Sequence, residues 1–179
     1  MIEDVNPKKF LGQHFLIDQN ISKKIVSSVS LEEFDKIVEI GPGKGALTKY
    51  LFEFSDKLIL IEYDAESVEF IKNSYKKYNP NIIKQDFLKY NLKDVLSQTS
   101  KNLIIGNFPY NISSQIIFKV LDNYSIVNNL IGMFQKEVAE RIISKSNSKE
   151  YGIISVKTQL LYDVKILFDV SPNVFFPKP

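Results

Sequence analysis

Four short runs rich in apolar and β-branched residues set the limits on this fold: Lys36 to Ile40, Lys57 to Ile61, Asn81 to Lys84 and Asn102 to Ile105. Their ends fall roughly twenty residues apart, and helix-length stretches such as Ala46 to Phe54 and Ala65 to Tyr75 fill the gaps. Parallel strands need a crossover of that length, because the chain must return to the edge from which it started. The rhythm therefore predicts consecutive strand–helix–strand units, that is, an α/β fold with a mostly parallel central sheet flanked by helices. Upstream, Ile21, Ile25, Val26 and Val29 recur at helical spacing behind Asp18, a candidate N-cap. Downstream come a fifth apolar run, Leu130 to Phe134, a helix from Glu137 to Ser144 and a polar loop from Lys145 to Tyr151. A helical stretch near Ile153 to Tyr162 and a strand-like Val164 to Val170 complete the pattern. With 179 residues and no internal repeat or low-complexity linker, the whole chain reads as one domain with an N-terminal arm.

Composition removes several classes of chemistry. The chain has no cysteine and one histidine, His14, which excludes disulfides, thiolate catalysis and a histidine metal cage, so no metal site is expected. No apolar run is long enough for a membrane span, and Met1-Ile2-Glu3-Asp4 has no signal-peptide shape, so the expected compartment is the cytoplasm. The net charge of +2 does not announce a nucleic-acid partner by itself. Among the 23 basic residues Arg141 is the only arginine, so bidentate arginine–guanine contacts are a poor source of specificity here.

In open α/β sheets, ligands bind where the strands end. The first run leads into Glu39-Ile40-Gly41-Pro42-Gly43-Lys44-Gly45, a turn in which Gly41 and Gly43 let backbone approach a ligand closely. The second ends at Glu62, placed to accept both hydroxyls of a ribose. The third reaches Asp86, which can accept from an adenine amine, and the fourth ends at Asn107. Taken singly, Glu62 and Asp86 also read as solvated charges at strand termini. In order along one edge they outline an adenosine pocket. The glycine spacing matches neither the dinucleotide pattern G-x-G-x-x-G nor the P-loop, so an adenosine ligand without a pyrophosphate fits better. S-adenosylmethionine is such a ligand.

Beside that pocket stands Asn107-Phe108-Pro109-Tyr110. The Asn107 amide oxygen and the Phe108 carbonyl are two acceptors for an exocyclic amine. Pro109 holds Phe108 extended and so fixes its carbonyl direction. Tyr110 offers a face on which a base can stack, typically worth about 1–3 kcal/mol. A plainer reading, a strand end and a proline turn with Tyr110 in the core, weighs equally for the tetrapeptide alone.

The motifs together resemble the KsgA-type small-subunit rRNA adenine dimethyltransferases. The likeness runs from Lys9 to Pro179 and rests on the arm Phe10-Leu11-Gly12-Gln13-His14-Phe15-Leu16, on Val38 to Thr48, and on Glu62 and Gln85-Asp86. It continues through Gly106 to Ser113, Gln135 to Arg141, Tyr151-Gly152 and Phe175-Phe176-Pro177-Lys178-Pro179. The resemblance implies a Rossmann-like class I methyltransferase fold that binds S-adenosylmethionine. It further implies dimethylation of two adjacent adenosines near the 3′ end of small-subunit rRNA, in a pre-ribosomal particle, by a monomer. The runner-up readings are a large-subunit rRNA methyltransferase of the macrolide-resistance kind and a ribosome-assembly factor with secondary catalysis. By the same resemblance His14, Leu16, Gly41, Glu62, Asp86 and Asn107 line the cofactor site, and Gln13 belongs to an arm folded over it. Phe175 is implied to press the flipped adenine from the face opposite Tyr110. Two departures stand out. Phe108 replaces the family's commoner leucine, and the chain stops inside the last motif, where these enzymes usually continue into a small helical C-terminal domain.

Overall fold

The computed structural model describes residues 5–179; Met1 to Asp4, read above for targeting signals, lie outside them. Five strands form one all-parallel sheet: β2 (Lys36–Ile40), β3 (Leu58–Glu62), β4 (Ile82–Lys84), β5 (Asn102–Asn107) and β6 (Asn129–Met133). Their order is β4-β3-β2-β5-β6. The direction of winding reverses between β2 and β5, which makes the crevice beyond their carboxyl ends the expected ligand site. A two-residue antiparallel pair, β1 (Phe15–Leu16) with β7 (Phe175–Phe176), ties the N-terminal arm to the last segment.

Alternation along the buried strands divides the core into two layers. Ile37, Leu58, Leu60, Leu103 and Ile105 point to one face. There they meet Ile25 and Val26 of α1 (Gln19–Val26), Leu51 of α2 (Thr48–Leu51) and Ile71 of α3 (Ala65–Ser74). Val38, Ile40, Ile59, Ile61 and Ile104 point to the other face and meet Ile116 and Val120 of α4 (Ser113–Asp122). Each fully buried aliphatic side chain contributes about 1.5–3 kcal/mol, so this sandwich supplies most of the drive to fold. A smaller cluster joins α4 to α5 (Lys136–Ile143) and α6 (Ile153–Leu161) through Ile117, Leu121, Ile142 and Ile154. α1 starts where the sequence places it: Asp18 accepts from the amides of Asn20 and Ile21.

Two expectations need correction. Val164 to Val170 forms no strand among the described residues; Phe168 and Val170 pack on the core, while Ile166 and Leu167 remain exposed. The stretch from Ala46 to Phe54 holds only one α turn, Thr48–Leu51, followed by a 3-10 turn over Phe52–Phe54.

Phe108 shows how sequence and packing agree. Its ring is buried between Gly106 and Gly132, neighbours in register on β5 and β6, and meets Phe134 edge-on at 5.2 Å. A Cβ at position 132 would sit 2.1 Å from the Phe108 ring, and one at 106 would sit 2.6 Å from it. The two glycines make room for an aromatic where a smaller residue would otherwise serve.

Candidate active site

The carboxyl ends of β2, β3 and β5 open into a cavity of about 320 Å³, within the range of small-molecule sites. Gly41, Gly43, Glu62 and Asp86 line its floor. Gln13, His14 and Leu16 line it from the arm, and Asn107, Phe108, Pro109 and Tyr110 from the end of β5. Phe175 is not among the lining residues.

On the β2–β3 side, the Glu39-to-Gly45 turn gives its position to backbone rather than side chains. Gly43 has φ 53°, and a Cβ there would approach the Phe15 ring to 3.0 Å. The turn is held by Glu62, whose Oε2 accepts from the Gly43 amide at 3.1 Å and whose Oε1 accepts from the Asp64 amide at 2.8 Å. Each carboxylate oxygen retains a second lone pair, which suits a diol lying across the group. Burial pushes the Glu62 carboxyl up, opposed by those amide hydrogen bonds. Glu39 lies deeper. Burial pushes its carboxyl up to about 8, with Thr48 acting in the opposite sense, and its Oε2 has no hydrogen-bond partner among the described residues. Asp86 directs one oxygen to the Leu88 amide at 2.9 Å, a local turn that fixes its side chain.

On the β5 side, Asn107 Nδ2 donates to the backbone carbonyl of His14 at 2.9 Å. That bond uses one of the two N–H donors, fixes the orientation of the amide and leaves Oδ1 as the acceptor. The His14 ring stacks on Tyr110, with centroids 4.8 Å apart and planes at 22°, and its Nδ1 lies 2.8 Å from the Pro177 carbonyl. Burial raises the Tyr110 hydroxyl above its ordinary pKa.

The arm is pinned at its start. Lys8 pairs with Asp64 and reaches Glu66 at 3.0 Å, while its amide donates to the Gln13 side chain at 2.9 Å. Burial alone would raise the Asp64 carboxyl, but Lys8 and Ser67 hold it below its usual value. The hydrogen bonds and pairing with Asp64 raise Lys8 in turn. The Lys8 and Pro177 contacts were not anticipated from sequence, because each joins residues distant along the chain.

Phe175 and Phe176 take opposite environments. It is 6% exposed, packs in the core and pairs with Leu16, whereas Phe176 beside Phe15 is 58% exposed. Neighbouring residues of a strand point to opposite faces, so the pairing with β1 buries one of the two rings and exposes the other. Among the described residues no group of three or more acidic, histidine or cysteine side chains could hold a metal ion.

Residues 5–179 match the family described as ribosomal RNA adenine dimethylase. The chain belongs to that family. A relative from Flavobacterium johnsoniae, described as ribosomal RNA small subunit methyltransferase A, is 52% identical over 178 residues, covering 99% of this chain and 68% of its own. A solved dimethyladenosine transferase from Plasmodium falciparum superposes with a TM-score of 0.80 at 28% identity, over 93% of this chain and 59% of that one. The 23S rRNA methyltransferase ErmE superposes with a TM-score of 0.74 at 22% identity, over 92% of this chain and 65% of that one, a likeness of fold alone. The chain thus spans about two thirds or less of the length of these relatives. The dimethylase fold seen here is that of the class I S-adenosylmethionine-dependent methyltransferases.

Proposed function

We propose that this chain carries the catalytic unit of a small-subunit rRNA adenine dimethyltransferase, using S-adenosylmethionine and acting in the cytoplasm as a monomer. Among the described residues no helix is long and apolar enough to cross a membrane. The observation that carries the reading is Asn107. Its amide nitrogen is held by the His14 carbonyl, so its Oδ1 acts as an acceptor at the cavity.

The cavity suits the cofactor. Glu62 would receive the ribose hydroxyls, Asp86 the adenine amine, and the glycine turn the remaining chain. When bound there, S-adenosylmethionine supplies an electrophilic methyl group on a sulfonium. An adenine amine is a weak nucleophile because its lone pair is delocalised into the ring. Asn107 Oδ1 and the Phe108 carbonyl, accepting from its two N–H bonds, favour a tetrahedral nitrogen and aim the lone pair. Tyr110 offers the stacking face, and a base inside a helix must be flipped to reach it. Positioning of this kind supplies most of the acceleration, and the methylated amine is acidic enough to lose its proton without a strong base. The relatives extend beyond the part matched here, and we assign catalysis to the shared part and a share of ribosome recognition to the rest. The description of the F. johnsoniae relative favours the small subunit over the large one.

The test incubates the chain with labelled S-adenosylmethionine and either undermethylated small subunits or large-subunit RNA, followed by mass analysis of nucleosides. Dimethyladenosine in small-subunit RNA alone is expected. Labelling of large-subunit RNA instead would overturn the substrate assignment.

A further inference from the structure

We infer that His14 is a positioning residue that sets which way the Asn107 amide faces, with the Pro177 carbonyl as its anchor. The inference rests on the proposed role of Asn107 and adds to it the groups that make the role possible. A primary amide at a strand end has two orientations of similar shape and opposite chemistry. In one, Oδ1 accepts from an incoming amine; in the other, an NH2 group meets that amine and repels it. The His14 carbonyl selects between them. With Nδ2 donating to it at 2.9 Å, the reverse orientation would set two oxygens against each other.

The carbonyl stays in place because the ring of the same residue is fixed twice. Nδ1 lies 2.8 Å from the Pro177 carbonyl, which can only accept, so Nδ1 must carry the proton. One face of the ring rests on Tyr110, at 4.8 Å between centroids. The next two residues, Phe15 and Leu16, pair with Phe176 and Phe175. A chain of contacts therefore runs from the closing Phe-x-Pro-x-Pro segment through His14 to Asn107, linking positions 163 and 93 residues apart. The segment from Phe175 acts through this chain, which accounts for its place near the site although Phe175 itself is buried in the core.

The single histidine makes the idea directly readable. In 15N NMR of the unmodified protein, neutral His14 is expected as the Nδ1–H tautomer; a predominant Nε2–H tautomer would overturn the inference. This measurement needs neither substitution nor activity. Next, His14→Leu is compared with His14→Asn, whose Nδ2 can still reach the Pro177 carbonyl. The leucine variant should lower kcat for methyl transfer about 10- to 100-fold, with cofactor Kd changed only a few-fold. The Asn107 side-chain amide signals should lose their protection from exchange. The asparagine variant should recover both in part. A raised cofactor Kd with kcat and the Asn107 signals unchanged would make His14 a cofactor contact only, and would overturn the inference. If Asn107→Ala itself transfers methyl groups normally, the catalytic reading fails instead, whatever the His14 tautomer.

Discussion

The two sides of the cavity are held in different ways. On the β2–β3 side, the supports are local. Glu62 accepts from Gly43 and Asp64, 19 and two residues away, and Asp86 from Leu88 two residues on. On the β5 side, Asn107 depends on His14, and His14 on Pro177, across most of the chain. The first side is a rigid receptor built into the sheet. The second is assembled only when both ends of the described chain are docked. Damage to the arm should therefore cost the geometry of transfer more than it costs cofactor binding.

That difference can be broken or sharpened at several points. The largest effect is expected at Glu39, buried near the end of β2 on the rigid side. Burial pushes its carboxyl up from the ordinary value of 4.5 to about 8 in the folded chain. Below 4.5 both states are protonated, and between the two values only the unfolded chain releases the proton. Stability should therefore fall as pH rises through that window and level off above it. The fall should amount to a few kcal/mol, since each tenfold difference in proton affinity between the two states is worth about 1.4 kcal/mol. Glu39→Gln should flatten this fall in urea titrations; a slope equal to that of the parent would show that Glu39 ionises freely. Next, Glu62→Ala should raise cofactor Kd about 100-fold, the loss expected of hydrogen bonds to a charged group, with kcat at saturation little changed. Calorimetry and turnover together check the split.

A packing test comes third. Gly132→Ala should destabilise the fold by about 1–3 kcal/mol, because its methyl group collides with the Phe108 ring. Adding Phe108→Leu should recover part of that loss in chemical denaturation, and simple additivity would refute the coupling. The smallest effect is expected at Lys8. Lys8→Ala removes the contacts with Asp64 and Glu66 and should speed cofactor release about twofold, more at low salt than at high.

The sequence is informative where structure is local. The short apolar runs located all five strands of the sheet to within a residue or two, and the polar ends of β2, β3, β4 and β5 converge on one cavity because parallel strands share a carboxyl edge. It failed where partners are distant. Val164 to Val170 has the composition of a strand, but composition does not provide a neighbour to pair with. Phe175 and Phe176 are adjacent aromatics, and only the register with Phe15 and Leu16 decides which faces inward. The Lys8, Pro177 and His14 contacts join segments that share no pattern in sequence.

The central claim is that Asn107 orients the amine and leaves cofactor binding to the other side of the cavity. Its most direct test measures Asn107→Ala twice, by calorimetry with S-adenosylmethionine and by single-turnover methyl transfer to undermethylated small subunits. The account predicts a cofactor Kd within about threefold of the parent and a transfer rate lower by about 100- to 1,000-fold, as for loss of one preorganised polar group. Parallel loss of binding and transfer, or transfer at the parental rate, would contradict it.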